Sequence, residues 1–378
     1  MQRIKELFKK DLMLSVSLFA ALVSLFITPP SVKLIKDIDW KTLATLFMML
    51  SVLEGFKKEH IFNPLINFAG RLKSMFTMSL FLIFSVFFSS MFVTNDVSLI
   101  IFVPLTIILF RQGGKEEYIL PVISMENIAA VRGSMLTPFG SPQNLFIFAH
   151  SGVSAGYFIL HMMPLWIFSG ILLVLFIKHL YRKNPTEAIS VTGADTTWEN
   201  ERKNKRISYI ILFIIVIYTI VSRTTWWPLI TLIVAVAVSF TDIDIIKKTD
   251  YVLLVTFLCF FIFSASITAN EGIAGFLSRA VSEKEYVWGI LLSQVISNVP
   301  AAIVLYPFTT NLAALLYGVD SAGLVSLIGS LASVINYRIY VREYPKGSKA
   351  FIKTFTLTSL TFFTIVVIPG WLLSFWRF

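Results

Sequence analysis

The stretch that decides the fold is Phe92-Val93-Thr94-Asn95-Asp96-Val97-Ser98-Leu99-Ile100-Ile101-Phe102-Val103-Pro104, in which a polar triplet lies between two apolar runs. An ionised Asp in the hydrocarbon core of a bilayer costs about 2.5–3.5 kcal/mol, so Asp96 needs a partner, an aqueous cavity or a function. The second half of the chain repeats the pattern, because Ser297 to Pro307 aligns without a gap on Thr94 to Pro104. Two polar turns in matching apolar contexts predict a binding site.

The composition predicts an all-α polytopic membrane protein embedded in a lipid bilayer. Of the 378 residues, 56% are hydrophobic and 14% are charged, whereas soluble domains carry about 25% charged residues. The net charge is +10, and most of the Lys and Arg residues lie between apolar runs. Cytoplasmic loops of membrane proteins are enriched in these residues. The positive charge is therefore explained without a nucleic-acid partner, and none is expected. The single Cys259 excludes an intrachain disulfide. The basic N-terminus is expected in the cytoplasm, and the protein in the inner membrane of a prokaryote.

The segment of about 74–111 is predicted to be a re-entrant hairpin with Thr94-Asn95-Asp96 at its tip. Basic residues stand at both outer ends, Lys73 on one side and Arg111 and Lys115 on the other, which places both ends in the cytoplasm. A turn inside the bilayer must be buried in protein or line an aqueous cavity. Two full spans joined by an external loop are the alternative.

The segment of about 117–149 is predicted to be a broken helix. Prolines and glycines interrupt its apolar pattern, namely Gly133, Pro138, Gly140 and Pro142. A continuous helix is therefore unfavourable. A break exposes backbone N–H and C=O groups, which in transporters face the binding site.

The chain is predicted to divide into two inverted repeats. The first covers 1–181 and a cytoplasmic linker covers 182–206. The region 207–378 holds one extra span and the second repeat, with a hairpin at about 285–316 and a broken helix at about 323–340. The 20-residue span rule gives roughly nine spans in addition to the hairpins. Inverted repeats with discontinuous helices are typical of secondary transporters. Segments 57–73 and 270–281 are predicted to be interfacial helices.

The polar residues of the tips and breaks are the predicted site. Helix N-terminal N–H groups, amides and hydroxyls suit anions, and the substrate-binding residues are predicted to be Thr94, Asn95, Thr137, Gly140, Ser141, Asn144, Ser297, Asn298, Gly329 and Ser330. Carbonyls, amide oxygens and a carboxylate suit Na⁺ or H⁺, and the coupling-ion residues are predicted to be Asn95, Asp96, Asn298, Ser326 and Ser333.

Charged residues near the first break have alternative interpretations. Asp96 has no counterpart in the second half, where Val299 stands; it is either an ion ligand or the N-terminal cap of the next helix. Glu126 and Arg132 are expected to pair with each other or with Asp96, as a structural or a functional pair, or Arg132 contacts an anionic substrate. Neither a His-Glu-x-x-His helix nor a Gly-x-Ser-x-Gly elbow is present, so no enzymatic activity is expected. No cofactor is expected, and Na⁺ as a coupling ion is the only metal ion considered.

Three motifs carry a resemblance to a known family: Thr94-Asn95-Asp96 with Pro104, Leu136 to Asn144, and Ser297-Asn298-Val299-Pro300. Together they resemble the ion transporter superfamily, in its citrate-transporter-like and arsenite-permease-like branch. The resemblance implies a homodimer with a scaffold domain and an elevator-like transport domain that holds the hairpins. The dicarboxylate branch has Ser-Asn-Thr at both tips, from which this chain departs, and the acidic Asp96 is more similar to the arsenite-permease branch.

The predicted function is secondary active transport of a small anion, a carboxylate or an inorganic oxyanion, coupled to Na⁺ or H⁺. One alternative is a cation/H⁺ antiporter, or an arsenite-type efflux permease, that uses Asp96. An anion channel is the alternative from another class. The solute, the direction of transport and the coupling ion stay open at this point.

Overall fold

The computed structural model describes residues 12–61, 68, 69, 71–190 and 203–378. These residues form helices and no β-strand, apart from a single bridge between Ser74 and Ala188. Within them, seven helices are long and apolar enough to cross a membrane by length and composition. The all-α membrane fold is therefore confirmed. The basic N-terminus and parts of segments 57–73 and 182–206 lie outside the described residues.

The helices of the first half are α1 Leu12–Ile27, α2 Val32–Lys36, α3 Trp40–Lys58, α4 Met75–Val93, α5 Asn95–Gln112, α6 Ile119–Ser134, α7 Pro142–Ser151 and α8 Ala155–Leu180. Those of the second half are α9 Lys203–Ser222, α10 Trp227–Lys248, α11 Tyr251–Thr268, α12 Glu271–Val281, α13 Glu285–Ile296, α14 Asn298–Leu305, α15 Leu312–Ala322, α16 Leu331–Glu343 and α17 Ser348–Leu373. Short 3₁₀ turns stand at Glu116–Tyr118 and Tyr306–Phe308.

Side-chain caps fix several helix starts. The Asp39 and Asp250 carboxylates accept backbone N–H bonds of 3.0 and 2.9 Å at the starts of α3 and α11. Asn270 caps α12 and Asn311 caps α15 in the same way. Such caps satisfy donors that the first turn of a helix leaves free.

Both predicted hairpins are present. Thr94 alone joins α4 to α5, and Ser297 alone joins α13 to α14. We call α4–α5 hairpin 1 and α13–α14 hairpin 2. The tip of hairpin 1 contacts the middle of a broken helix, because Thr137 Oγ1 donates to Met91 O at 2.5 Å. Beyond that break α7 continues for 10 residues, about 15 Å at 1.5 Å per residue. This depth favours a re-entrant hairpin 1 over a pair of full spans, and its two arms are then two of the seven long apolar helices.

The second hairpin is shorter than expected. The sequence predicted that it extends to about 316, but α14 ends at Leu305 and α15 begins at Leu312. The reason is local: Pro307 lies in the 3₁₀ turn that ends the arm, and Asn311 caps the next helix. The second broken helix therefore runs from 312 to 343, with its break at 323–330. We call residues 135–141 break 1 and residues 323–330 break 2.

The two hairpins enter the bundle from opposite ends. At the base of hairpin 1, Arg111 Nη1 lies 3.3 Å from Oε2 of Glu343, the last residue of α16. At the base of hairpin 2, the Tyr306 ring lies 4.6 Å from the ring of His150, near the end of α7. Each broken helix thus starts beside its own hairpin and ends beside the base of the other. This arrangement brings both tips and both breaks to the interior.

Candidate functional site

The two hairpin tips have the same backbone geometry. Thr94 has φ 71° and ψ 156°, and Ser297 has φ 71° and ψ 159°. Both residues are buried, as are the neighbouring Asn95 and Asn298. The polar turns that the sequence aligned are therefore equivalent structures, in which a single residue in a rare conformation reverses the chain.

The two breaks are also equivalent. A Cβ on Gly140 would lie 2.2 Å from the Ser134 carbonyl oxygen, and one on Gly329 would lie 2.3 Å from the Ala322 carbonyl oxygen. Only glycine fits this close backbone approach. The following residues, Ser141 and Ser330, both have φ −151° and are the N-cap residues directly before α7 and α16. Both serines are buried.

A hydrogen bond joins each break to its own hairpin. Thr137 Oγ1 in break 1 contacts Met91 O, as described above, and Ser326 Oγ in break 2 donates to Gln294 Oε1 at 2.7 Å. Gln294 also donates through Nε2 to Ala322 O at 3.2 Å. Thr137 and Ser326 each lie three residues before their break glycine, and Met91 and Gln294 each lie three before their tip. Both hairpins are thus attached at corresponding points.

Other predicted residues stabilise the breaks from within. Asn144 Nδ2 donates to three carbonyl oxygens of break 1 and the end of α6, at 3.1–3.2 Å. Ser333, at the corresponding position of α16, makes one such bond, 3.4 Å to Gly323 O. Asn298 N donates to Gly329 O at 3.2 Å, which attaches the tip of hairpin 2 to break 2. Asn298 Nδ2 is buried without a partner.

Asp96 lies between two cavities. One of about 100 Å³ is lined by Thr94, Asp96, Ser141, Pro142 and residues of α3 that include Glu54 and Lys57. The other, of about 240 Å³, is lined by Asp96, Asp250, Ile328, Leu331 and Arg338. Asp96 Oδ1 is buried without a hydrogen-bond partner. No side-chain cap of α5 is formed, so the geometry does not support the capping interpretation.

Four helix N-termini meet in this region. Asp96 in the first turn of α5 shares one cavity with Pro142 of α7 and the other with Leu331 of α16. The first residue of α14, Asn298, is bonded to break 2 just before α16. Helix N-termini carry free N–H groups and a partial positive charge. The arrangement can therefore hold negative charge near the middle of the bundle.

Glu126 and Arg132 do not form the expected ion pair, either with each other or with Asp96. Glu126 accepts a hydrogen bond of 2.5 Å from Thr106 Oγ1 on hairpin 1. Arg132 Nη2 contacts Ser321 Oγ at 3.4 Å, and its Nε has no partner. Six residues of α-helix place two side chains on different faces, so the pairing was geometrically unfavourable.

Gln143 and Asp320 form a buried contact beside break 1 that the sequence pattern did not predict. Gln143 Nε2 on α7 donates to Asp320 Oδ1 on α15 at 3.0 Å, and Oδ2 has no partner. Arg132 lies two residues before Ser134, the last residue of α6. Asp320 lies two residues before Ala322, the last residue of α15, and so occupies the equivalent position. Both are fully buried. The signal available in the sequence was an acid within the apolar run Leu312–Ala322.

Comparison with known proteins identifies the family of this chain. The family model described as citrate transporter matches residues 6–334. The chain belongs to the citrate transporter family. As a member of this family, it is a membrane transporter.

Two relatives of this citrate transporter family member align with it over most of both chains. An uncharacterized transporter of Methanocaldococcus jannaschii is 29% identical over 304 residues, 80% of this chain and 81% of the relative. Inner membrane protein YbiR of Escherichia coli K12 is 31% identical over 308 residues, 80% of each chain.

The fold of this family member also matches a crystal structure. It is similar to the YdaH transporter of Alcanivorax borkumensis, with a TM-score of 0.58 and 15% identity. The match covers 91% of this chain and 87% of the other. At this identity the likeness concerns the fold alone.

Proposed function

We propose that this transporter moves a small anion, a carboxylate or an inorganic oxyanion, by secondary active transport coupled to Na⁺ or H⁺. The observation that carries the proposal is the meeting of four helix N-termini at two equivalent tips and two equivalent breaks. Hydroxyl and amide groups stand at those ends, and both tips are buried. Free N–H groups at helix starts bind anions without a resident metal.

Arg132 supports the choice of an anion. Its guanidinium is fully buried beside break 1, and its Nε has no partner. A buried cation is stable only when negative or polar groups compensate it. The guanidinium donates only long hydrogen bonds, from Nη2 to Ser321 Oγ at 3.4 Å and from Nη1 to Met135 Sδ at 3.7 Å. An anionic solute bound at the breaks would complete this compensation.

We assign the coupling ion to the Asp96 region. The carboxylate lies at the junction of two cavities, next to the Asn95 tip, and one oxygen is free. Amide oxygens and a carboxylate are suitable ligands for Na⁺, and the carboxylate alone can carry H⁺. Movement of the hairpins with the broken helices against α1–α3 and α9–α11, as an elevator within a homodimer, would alternate access to the site.

A second candidate function is cation/H⁺ antiport. The smaller cavity is lined by three acidic residues, Glu54, Asp96 and Asp250, and by one basic residue, Lys57. An acidic lining attracts cations and repels anions. This observation favours an exchange of cations at Asp96, which would proceed without any anionic solute.

The two candidates are separated by uptake into proteoliposomes. The purified protein would be tested with radiolabelled carboxylates, sulfate, phosphate and arsenite, under imposed Na⁺ or H⁺ gradients. We expect concentrative uptake of one anion class that a gradient drives and an ionophore abolishes. The double variant Asn95→Ala/Asn298→Ala should lose it, while Glu283→Gln, an exposed residue between α12 and α13, should retain it.

Other outcomes decide against the proposal. Flux that only follows the solute gradient would indicate a channel. Cation exchange without solute that Asp96→Asn abolishes would indicate an antiporter. The relative YbiR is an inner membrane protein, and we propose the same location for this chain, with the N-terminus in the cytoplasm. Labelling of single cysteines introduced near Lys57 and near Lys33 from the two sides of the membrane would test this orientation.

A further inference from the structure

Two cavities lie near opposite ends of α3. The smaller Asp96 cavity, here called the inner cavity, is lined by residues of α3 from Leu46 to Lys57. A separate cavity of about 220 Å³, here called the outer cavity, is lined by Lys33 and Asp39, which precede α3. In the orientation proposed above, the inner cavity reaches the cytoplasmic end of α3, and the outer cavity lies towards the other side of the membrane.

The helix α7 forms the wall between these cavities. Pro142 and Leu145 line the inner cavity. Phe146 and His150, further along the same helix, line the outer cavity, and no residue in the described part of the chain lines both. The Phe146 side chain is buried, and its ring centre lies 5.7 Å from that of Phe261 on α11. Access to the tips and breaks from the outer cavity therefore requires that α7 moves.

The end of α7 is held by the loop between α9 and α10. Arg223 in this loop donates from Nη2 to Phe148 O, and also to Ser151 Oγ at 3.3 Å. Its guanidinium carbon lies 4.1 Å from the centre of the Phe148 ring. Phe148 O is one of the last four carbonyl oxygens of α7, which lie at the negative end of the helix dipole. The arginine therefore attaches this helix end by its charge as well as by hydrogen bonds.

Arg223 is itself attached to α3. Its carbonyl oxygen accepts a hydrogen bond of 2.9 Å from Lys41 Nζ, in the first turn of that helix. Its φ is 49°, a conformation that residues other than glycine keep only where the surrounding structure imposes it. A second contact lies nearby, because His150 Nε2 on α7 is 3.6 Å from Asp39 Oδ2 at the start of α3. Both contacts join α7 to the elements against which it is proposed to move.

We propose that Arg223 is the outer latch of the transporter. While its guanidinium binds the end of α7, the tips and breaks are accessible from the cytoplasm and closed to the outer cavity. Release of this contact lets α7 move and opens the site to the other side. The latch rests on the alternating access proposed above, and adds the residue that favours the cytoplasm-open conformation. Hydrogen bonds from a charged donor are stronger than neutral ones, so their loss shifts the population towards the outward-open conformation.

The accessibility of one cysteine tests the latch without measuring transport. Cys259, the single cysteine of the chain, would be replaced with Ala, and Ser141→Cys would place a reporter in the inner cavity. A membrane-impermeant maleimide would be applied to right-side-out and inside-out membrane vesicles. With Arg223 present, we expect labelling from the cytoplasmic side and little from the outside. Arg223→Met should raise the outside labelling rate about tenfold or more, because it removes hydrogen bonds of a charged group.

Three further variants keep the result specific. Arg279→Met removes an exposed arginine of α12 and should label like the parent protein. Arg223→Lys retains the positive charge and should label at an intermediate rate from the outside. His150→Gln weakens the second contact, so it should shift labelling in the same direction by a smaller factor. It also serves as the test variant if Arg223→Met does not fold.

The outcomes separate the latch from the transport proposal. Outside labelling of Arg223→Met and His150→Gln at the rate of the parent protein would overturn the latch. A shift that Arg279→Met produces equally would overturn it as well, because the effect would then follow net charge. Anion uptake, measured with Ser141 intact, is a separate readout. Its presence beside unchanged labelling overturns the latch alone, whereas shifted labelling without any anion uptake supports the latch and contradicts the proposed solute.

Discussion

Thr94 and Ser297 share a backbone conformation that few residues other than glycine adopt. Both have φ 71°, with ψ of 156° and 159°. A residue other than glycine that is held in this part of φ/ψ space carries backbone strain on the order of 1–3 kcal/mol. Each is the only residue between two helices. The rare conformation is therefore what turns the chain at the centre of the site.

Replacing either residue with glycine should increase stability and reduce transport. Thr94→Gly relieves the unfavourable φ, and after the entropic cost of glycine we expect a gain of about 1 kcal/mol in the free energy of unfolding. Loss of the hydroxyl and of the rigid turn should lower uptake at least tenfold. Thermal unfolding and proteoliposome uptake measure the two effects. Glu283→Gly, at φ 64° on the surface, should raise stability with uptake unchanged. Normal uptake by Thr94→Gly would show that this side chain is outside the site.

Arg132 and Asp320 should behave as coupled residues. Arg132 contacts Ser321, the chain neighbour of Asp320, and the two buried charges attract each other. Arg132→Met or Asp320→Asn alone therefore removes part of the compensation of the other charge, and we expect a loss of about 3 kcal/mol for each. In the double variant neither charge remains, and the combined loss should fall short of the sum by about 0.5–3 kcal/mol. Chemical unfolding of the four proteins completes this double-mutant cycle. Simple additivity would mean that the two charges do not interact.

The hydroxyl groups of the breaks should restrain the hairpins. Thr137→Val removes the bond to Met91 O and should cost about 1 kcal/mol. Hydrogen exchange of the amides at 91–95 should then become faster, while those of hairpin 2 stay protected. Ser326→Ala should produce the mirror result at 294–298. Thr137→Ser retains the donor and serves as the control, with exchange as slow as in the wild type. If Thr137→Val, which keeps the methyl group, also exchanges as slowly as the wild type, the hydrogen bond does not hold the tip.

Acid should release the segment that follows α8 from the base of hairpin 1. Glu187 accepts from Lys115 Nζ at 2.6 Å and from Tyr118, and these bonds hold the pKa of the Glu187 carboxyl below its ordinary value of 4.5. A lowered carboxyl pKa stabilises the folded state above pH 4.5, and this stabilisation is lost as the pH falls through the lowered pKa.

Limited proteolysis between pH 7 and pH 3 would monitor this release. Cleavage near Glu187 should rise at the acid end for the wild type. In Glu187→Gln it should be high throughout and independent of pH. Glu117→Gln, which removes a neighbouring exposed carboxylate, should follow the wild type. A wild-type profile without acid dependence would contradict the role of these bonds.

Local chemistry explains what the sequence could predict. Thr94-Asn95-Asp96 and Ser297-Asn298 interrupt apolar runs, and Pro142 with Gly140 interrupts a helix, so the tips and breaks were visible as exceptions. The division into two repeats stays a prediction, and the binding roles of the tip and break residues stay predictions as well. The end of hairpin 2 was placed too late because Pro307 and Asn311 were read as part of a continuous apolar arm.

Three-dimensional neighbours could not be predicted in the same way. Gln143, Asp320, Asn127 and Asn336 acquire their meaning from partners on other helices. In helices that are apolar on most faces, periodicity does not show which face a polar side chain occupies. The Glu126–Thr106 bond similarly depends on the packing of α5 on α6, which the chain order does not reveal.

The single-residue connection at Thr94 also restricts how this chain can change length. One inserted residue at that point would rotate α5 by about 100° relative to α4, given 3.6 residues per turn. Asp96 would then leave its two cavities, and Thr106 would turn away from Glu126. Insertions and deletions at the tips should therefore be excluded during evolution even where substitutions are accepted. The number of residues at this turn is as much a requirement of the transporter as their identity.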